Sequence, residues 1–414
     1  MSSSGNSGLS NSGLNNSPRL QGFLRSDGRK GIRNCIVVAY LVECAHHVAR
    51  EIVDSFKGQQ VHLIGFGGCY PNAYADRMMN KLCTHPNVGG ALLLSLGCES
   101  FNRHRLEENI AKTGRPVSTV VIQQIGGTRK SVDAGKMWVE NALRQIAEVA
   151  RAPLRVDELV VGTVCGGSDA TSGISANPAV GRAFDMLVKQ GAATIFEETG
   201  EMIGLENVMS ARAITPELGH ELKRSVEKAA YYYKQMGHAS FAPGNAEGGL
   251  TTIEEKSIGA YCKSGDSPIS GLIKPGDVPR RGGLYLLDVV PDGEPRFGFP
   301  NINDNAEIAE LIACGSHVIL FTTGRGSVVG SAISPVVKIC ANPETYERMS
   351  DDMDINAGKI LRLEASVDEV GEEIYDKVLE VAAGRQSCSE SLGHQEFVLT
   401  YKSFEPIGPA CLPV

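Results

Sequence analysis

Four cysteines stand where apolar, strand-length runs give way to glycine or polar residues. The run AYLVEC ends at Cys44, VHLIGFGGC at Cys69, LLLSLGC at Cys98 and VVGTVC at Cys165. Thiolates gathered from such positions could hold iron, as Fe2+ or as an iron–sulfur cluster with one open iron. The opposing reading is four buried thiols that behave as small hydrophobes, and no CxxC pair decides between the two. Glu99 follows Cys98 directly and is a carboxylate candidate for proton transfer.

Other segments carry groups suited to an anionic ligand. CGGSDATSGISANP (Cys165–Pro178) is rich in Gly, Ser, Thr and Asn ahead of a helical stretch. Its backbone N–H groups could form an anion nest, with Ser168, Asp169 and Asn177 as side-chain contacts. No GK[ST] follows it and no GxGxxG occurs in a strand–turn–helix setting, so neither a nucleotide loop nor a dinucleotide cofactor is supported. In FTTGRGSVVGSAISP, Arg325 lies between two glycines and Ser327 follows, which suits a carboxylate or sulfonate. The loop PGNAEGG offers Asn245. Beyond it, Lys256 in the run EEK is a general base, a second anion contact or a solvated helix-face ion pair. DDMDINAG offers Asp354 and Asn356 to a divalent ion or a polyhydroxy substrate, although the same residues cap and turn chains and the EF-hand spacing is absent. His46, His47, His85 and His104 are further candidate bases.

These residues need a scaffold, and the hydrophobic pattern supplies one. Apolar runs of strand length (Cys35–Val42, Val61–Phe66, Ala91–Gly97, Ser118–Gly126) alternate with helical stretches, and the same alternation restarts after Pro153. Buried strands alternating with helices predict an α/β protein: two Rossmann-like parallel-sheet blocks with helices on both faces. The expected division is a polar, disordered tail over 1–20, a first α/β domain over 21–152, and a second over 153–414 that carries the Gly-rich substrate loops and a C-terminal helix. In such sheets ligands bind beyond the carboxyl ends of the strands, where the candidate residues lie.

Composition narrows the partners. The chain has 414 residues, 40 Lys+Arg against 48 Asp+Glu, a formal net charge of -8 and 6% aromatic residues. That is the wrong sign for a phosphate backbone, so nucleic acid is not expected. No apolar run has the length of a membrane helix and the first residues lack the pattern of a secretory leader. The eleven cysteines are dispersed, unlike a secreted disulfide scaffold. A cytoplasmic protein with no membrane partner is the expectation.

The segments GFLRSDGRKGIRN (Gly22–Asn34), THPNVGGALLLSLGCE (Thr84–Glu99), VVGTVCGGSDATSGISANPAVGR (Val160–Arg182), PGNAEGGLTTIEEKSIG (Pro243–Gly259), FTTGRGSVVGSAISPVVKICAN (Phe321–Asn342) and DMDINAG (Asp352–Gly358), in this order, resemble the altronate/galactarate dehydratase family. The resemblance implies an iron-dependent lyase that acts by β-elimination on a small 2-hydroxy acid and yields a 2-keto acid. It would have the nest and Arg325 hold the anionic ends of the substrate, and it fits the reading of Cys44, Cys69, Cys98 and Cys165 as thiolates for iron. Two departures point within the family: only a short polar tail precedes Gly22, and Ala246 stands where the sugar-acid enzymes usually carry Lys. They favour the branch that expels sulfite from sulfolactate, built as a large subunit with a separate small subunit, over a sugar-acid dehydratase. A non-catalytic anion-binding homologue and a nicotinamide-dependent dehydrogenase are the rivals of another class, and an oligomeric assembly is left open.

Overall fold

The computed structural model of the chain describes residues 20–237, 240–293 and 303–400. The expected polar tail, apart from Leu20, lies outside the described residues. Among the described residues fourteen strands occur: β1 Gln21–Leu24, β2 Lys30–Gly31, β3 Cys35–Tyr40, β4 Val61–Gly65, β5 Val88–Ser95, β6 Val117–Val121, β7 Arg151–Pro153, β8 Val160–Cys165, β9 Ala193–Phe196, β10 Ile269–Ile273, β11 Gly283–Leu287, β12 Val318–Thr323, β13 Val336–Cys340 and β14 Ile355–Asn356. They form a small antiparallel sheet (β2-β1-β7) and two parallel ones, of order β4-β3-β5-β6 and β10-β11-β9-β8-β12-β13-β14. The expected α/β class with parallel sheets is what the chain adopts.

Side chains alternate across each parallel sheet, as a two-residue period requires. In the smaller sheet Ile36, Val38, Leu92 and Leu94 pack with helices His46–Asp54 and Thr128–Ala147 through Val48, Ile52, Val132 and Val139. Val37, Ala39, Ala91 and Leu93 face the other way, into a core shared with Ile195, Leu287, Ile319 and Phe321 of the larger sheet. Helices Ala73–Cys83, Arg103–Ala111 and Asp304–Ala313 contribute Met78, Leu82, Leu106, Ile110, Ile308 and Leu311 to that core. On its far face the larger sheet packs Val161, Leu286, Leu320 and Val337 on helices Ala176–Lys189 and Val367–Ala382. The two sheets are thus joined by one continuous apolar layer. Among the described residues, no helix is long and apolar enough to cross a membrane.

Both parallel sheets reverse direction internally. In the smaller sheet β4 lies on one side of β3 and β5 on the other; in the larger, β9 lies on one side of β8 and β12 on the other. Connections leave these central strands in opposite directions and open a crevice at their carboxyl ends. The expected strand over 118–126 is shorter than its apolar pattern suggests: it stops at Val121, and Ile122–Ile125 is a helical turn closed by Gly126 in the left-handed region (φ 101°).

One close approach ties the scaffold to the crevice of the larger sheet. A Cβ on Gly181, in helix Ala176–Lys189, would meet the Cys262 carbonyl oxygen at 2.2 Å and the Gly265 nitrogen at 2.8 Å. Only glycine lets the turn Cys262–Ser264 seat against this helix. Gly181→Ala is expected to lower stability by about 1–3 kcal/mol, as overpacking does, measured as a lower urea midpoint. An unchanged midpoint would contradict this tight seating.

Candidate active site

Cys165 is the last residue of β8, and Glu197 and Glu198 directly follow β9. Glu198 has φ 74°, a left-handed conformation that costs energy for a residue with a Cβ. The 3-10 turn Thr199–Met202 then returns Glu201 to the same place. The Cys165 Sγ lies 3.2 Å from Glu198 Oε1, 3.3 Å from Glu201 Oε2 and 3.2 Å from Ser168 Oγ. Two lysines complete the cluster. Lys263, fully buried, pairs with Glu198 and stands 3.9 Å from Glu201 Oε2. Lys256 pairs with Glu201 Oε1 at 2.6 Å and donates to the Ser240 carbonyl at 2.8 Å.

This cluster lines a cleft of about 630 Å³, whose walls include the Gly166–Ser168 backbone, Tyr233, Asn245, Asp304 and Glu307. Gly166 lets the cleft close around it: a Cβ there would come within 2.0 Å of Asp304 Oδ2. The ionisable groups are strongly perturbed. Burial, reinforced by Glu201, pushes the Glu198 carboxyl up to about 7 even though Lys263 and Lys256 pull it down. Burial also pushes Glu201 upward, but Lys256 and Lys263 outweigh it and hold that carboxyl below its usual range. Burial alone would lower both lysines; Glu201 and Cys165 around Lys256, and Cys165 and Glu198 around Lys263, more than offset it, so both stay charged. Burial and the two glutamates raise the Cys165 thiol well above its ordinary value, and burial and Glu201 raise Asp304.

The expected site residues divide accordingly. Cys165, Ser168, Asn245 and Lys256 line the cleft. Lys256 is neither a solvated helix-face cation nor a neutral base: its partner is Glu201, while Glu255 bonds Thr251. Asn245 works structurally as well, donating to the Ser168 carbonyl at 3.1 Å and accepting from the Ala242 N–H at 2.8 Å. Asp169 is buried and accepts from the Thr171 N–H at 2.9 Å and from Asn342 Nδ2 at 3.2 Å, so it shapes the loop. Asn177 donates to the Gly259 carbonyl at 2.9 Å and lines a smaller cavity of about 200 Å³ beside the cleft. Arg325 is exposed; it donates to the Gly244 carbonyl and pairs with Glu247 Oε2 at 3.1 Å, bracing the turn Pro243–Glu247. Ser327 Oγ accepts from the Val329 N–H at 3.2 Å, outside the cleft.

Asp354 is likewise a connector. Its carboxylate accepts from the backbone N–H groups of Lys338 (2.9 Å) and Cys388 (3.0 Å), fastening β13 to the helix that follows Ser387. Asn356 ends β14, the edge strand, three places from β8. Glu99 belongs to the smaller sheet, where it accepts from Ser95 Oγ and from the Gly97 N–H at 2.8 Å. Ala246 is exposed and is not among the residues that line the cleft. His85, packed edge-on against His317, and the other three expected histidines do not line the cleft either.

Two buried groups among the described residues have the donors and the spacing to hold a metal ion, with all ligand atoms within 4.8 Å of one another: Cys165, Glu198 and Glu201, and Glu197, Glu198 and Glu307. In the first, Lys256 and Lys263 pair with the two carboxylates, so a bound cation would share them with two ammonium groups. Cys44, Cys69 and Cys98 are exposed, in loops of the smaller sheet, and no group with all ligand atoms within 4.8 Å joins them to Cys165 among the described residues.

Residues 22–147 match the model "D-galactarate dehydratase/Altronate hydrolase, second domain", and residues 156–404 match "D-galactarate/Altronate dehydratase, C-terminal". The chain belongs to the galactarate/altronate dehydratase family. Among relatives, it is 33% identical to the (2R)-sulfolactate sulfo-lyase subunit beta of Chromohalobacter salexigens, over 92% of this chain and 96% of that one. It is 31% identical to the altronate dehydratase of Bacillus subtilis (93% and 78%) and 31% identical to the galactarate dehydratase (L-threo-forming) of Escherichia coli (89% and 73%). The chain is accordingly an enzyme of the lyase/dehydratase type.

Glu198, Glu201, Asp304 and Glu307, none of them expected from the sequence, line the cleft, with Glu197 and Lys263 beside them. The run FEETGE carried a signal, since it too ends a strand in Gly and charge; Lys263, in a three-residue turn, carried none. Lys263→Met removes the cation from a buried carboxylate and is expected to cost about 3–5 kcal/mol, measured by urea unfolding at pH 8. A wild-type midpoint there would mean that the pair does not hold the cluster together.

Proposed function

We propose that the cleft catalyses β-elimination from a small, anionic 2-hydroxy acid, with Glu198 as the base. The observation that carries the reading is Glu198 itself: a carboxyl raised to about 7, in a cleft beside two charged lysines. A base poised near neutrality is suited to taking a proton from carbon. Lys256 holds the substrate carboxylate and stabilises the enolate-like charge that develops on it. As the α-proton passes to Glu198, its bonding pair forms the carbon–carbon double bond. The β-substituent departs with the electrons of its own bond, and the enol tautomerises to the 2-keto acid.

The favoured substrate is (R)-sulfolactate, which would give sulfite and pyruvate. The support is the likeness to the sulfo-lyase subunit, 33% identical over 92% of this chain, against 31% for the two sugar-acid dehydratases. A sugar-acid dehydratase expelling water is the second reading. By likeness to a protein named as a beta subunit, a separate small subunit is proposed as partner, and a cytoplasmic setting accompanies it. Iron, as the family resemblance implies, belongs to this reading.

Anaerobic assays with sulfolactate, altronate and galactarate, with and without the small subunit, test the substrate. Sulfite and pyruvate from sulfolactate are expected; a 2-keto-3-deoxy acid from a sugar acid would replace that assignment with the second reading. Because Glu198 acts ionised, kcat/KM is expected to rise with pH through about 7 and level off above it. Glu198→Gln is expected to lower kcat by about 10²- to 10⁴-fold. A Glu198→Gln enzyme of wild-type turnover would eliminate this residue as the base.

A further inference from the structure

A β-elimination makes a demand that Glu198 and Lys256 do not meet. As the bond to the β-substituent breaks, negative charge collects on the departing group, and a donor already fixed beside it lowers the barrier. Asp304 and Glu307 supply part of the remaining cleft wall, and in their ionised forms they would repel a departing anion. Asn245 is spent on the Ala242 and Ser168 backbone, and the Ser168 hydroxyl is engaged with the Cys165 thiol. The phenol of Tyr233, which also lines the cleft, is a neutral donor of another kind.

Tyr233 stands in the last turn of the helix Pro216–Met236 and is 9% exposed. Its ring is pinned. A Cβ on Gly200 would meet the ring at 2.2 Å (Cε2) and 2.8 Å (Cζ), so only glycine lets the turn Thr199–Met202 approach it. Tyr232 packs edge-on against the same ring, with centroids 5.4 Å apart. The hydroxyl oxygen would itself lie 3.0 Å from that Cβ. It is therefore held over Gly200, one residue from Glu201 and two from Glu198.

Ser240 is hydrogen-bonded to this hydroxyl, and its carbonyl accepts from Lys256 Nζ at 2.8 Å. The phenol and the ammonium thus adjoin the same two residues, Ser240 and Glu201. A small acid whose carboxylate rests on Lys256 has its next carbons within reach of Tyr233. Burial, together with Glu307, Glu201 and Glu197, pushes the phenol above its ordinary value, so it remains a donor throughout the neutral range.

We propose that the Tyr233 hydroxyl is a catalytic hydrogen-bond donor to the departing β-substituent. The α-proton goes to the base and its bonding pair to the new carbon–carbon double bond, while the substituent leaves with the pair of its own bond. A group with acceptor oxygens, as a sulfonate has, takes the Tyr233 hydrogen bond as its charge grows, and the phenol keeps its proton throughout. Because the ring is clamped between Gly200 and Tyr232, the donor needs no rearrangement when that charge appears.

The inference rests on β-elimination as the reaction but not on Glu198 as the base, and the two fail differently. Tyr233→Phe keeps the ring and its packing and removes only the hydroxyl oxygen. With the substrate that the wild type converts among sulfolactate, altronate and galactarate, kcat and kcat/KM are expected to fall together by about 10²-fold at an unchanged KM. The circular dichroism spectrum should not change. In deuterium oxide, substrate recovered from Tyr233→Phe should carry deuterium at C2 by proton NMR, because proton abstraction continues while departure stalls. Substrate recovered from Glu198→Gln should stay unlabelled. Deuterium uptake by Glu198→Gln would remove that residue as the base and leave Tyr233 in its role. Wild-type turnover by Tyr233→Phe would overturn the proposal, and so would loss of exchange along with turnover. A wild type that converts none of the three acids would remove the reaction and this inference together.

Discussion

A fully buried ammonium beside a buried carboxylate is the constraint around which the cleft is organised. Taking either charge out of water alone costs several kcal/mol, and removing one partner strands the other. Lys263 and Glu198 therefore have to arrive together, and the chain spends distant segments on the meeting. Glu198 comes from the end of β9 in a left-handed conformation. Lys263 comes from a turn seated on the helix Ala176–Lys189, where Gly181 leaves room for it. Glu201 and Lys256 form the second pair, and Cys165 donates between the two carboxylates. With two cations serving more than two carboxylates in one cleft, one carboxyl keeps its proton to a higher pH than usual. Glu198, the more raised of the coupled pair, is that group.

The rest of the architecture supplies rigidity to loops that carry chemistry. Each parallel sheet reverses at its centre and presents a crevice at its carboxyl edge, and one apolar layer shared by Ile308, Leu311, Met78 and Leu106 locks the two sheets to each other. In the larger sheet the loops after β8 and β12 are zipped by Gly324 and Arg325 N–H groups donating to the Gly167 carbonyl, at 3.2 and 2.9 Å. That bond pair fixes the Gly166–Ser168 backbone along the cleft. Arg325 then reaches outward to hold the turn that carries Asn245. The backbone that walls the cleft is thus braced on two sides.

Much of this was legible in the residues alone. Alternating apolar runs gave the parallel sheets, and the rule that ligands gather at strand ends led to Cys165, Ser168 and the Pro243–Glu247 turn. The failures have a common physical cause: a polar residue in a loop looks the same whether it holds substrate or holds backbone. Asp169, Asp354 and Glu99 are all spent on neighbouring N–H or hydroxyl groups, and only three-dimensional contacts reveal it. Lys263 was invisible for the opposite reason, since a lysine between a helix and a loop is ordinarily solvated and nothing local marks this one for burial. Cys44, Cys69 and Cys98 were grouped with Cys165 because strand-end position was the criterion. That criterion does not report which sheet a strand joins.

The most direct test of the account is to titrate the Glu198 carboxyl itself. Carbon-13 NMR of protein labelled at the glutamate side-chain carboxyl, with Glu198→Gln to assign the resonance, follows it without reference to any substrate. The account predicts one carboxyl titrating near 7 and missing from the variant. Titration of Glu198 in the ordinary carboxylate range would contradict it, because a carboxylate so weakly basic would lack the character on which the elimination chemistry depends.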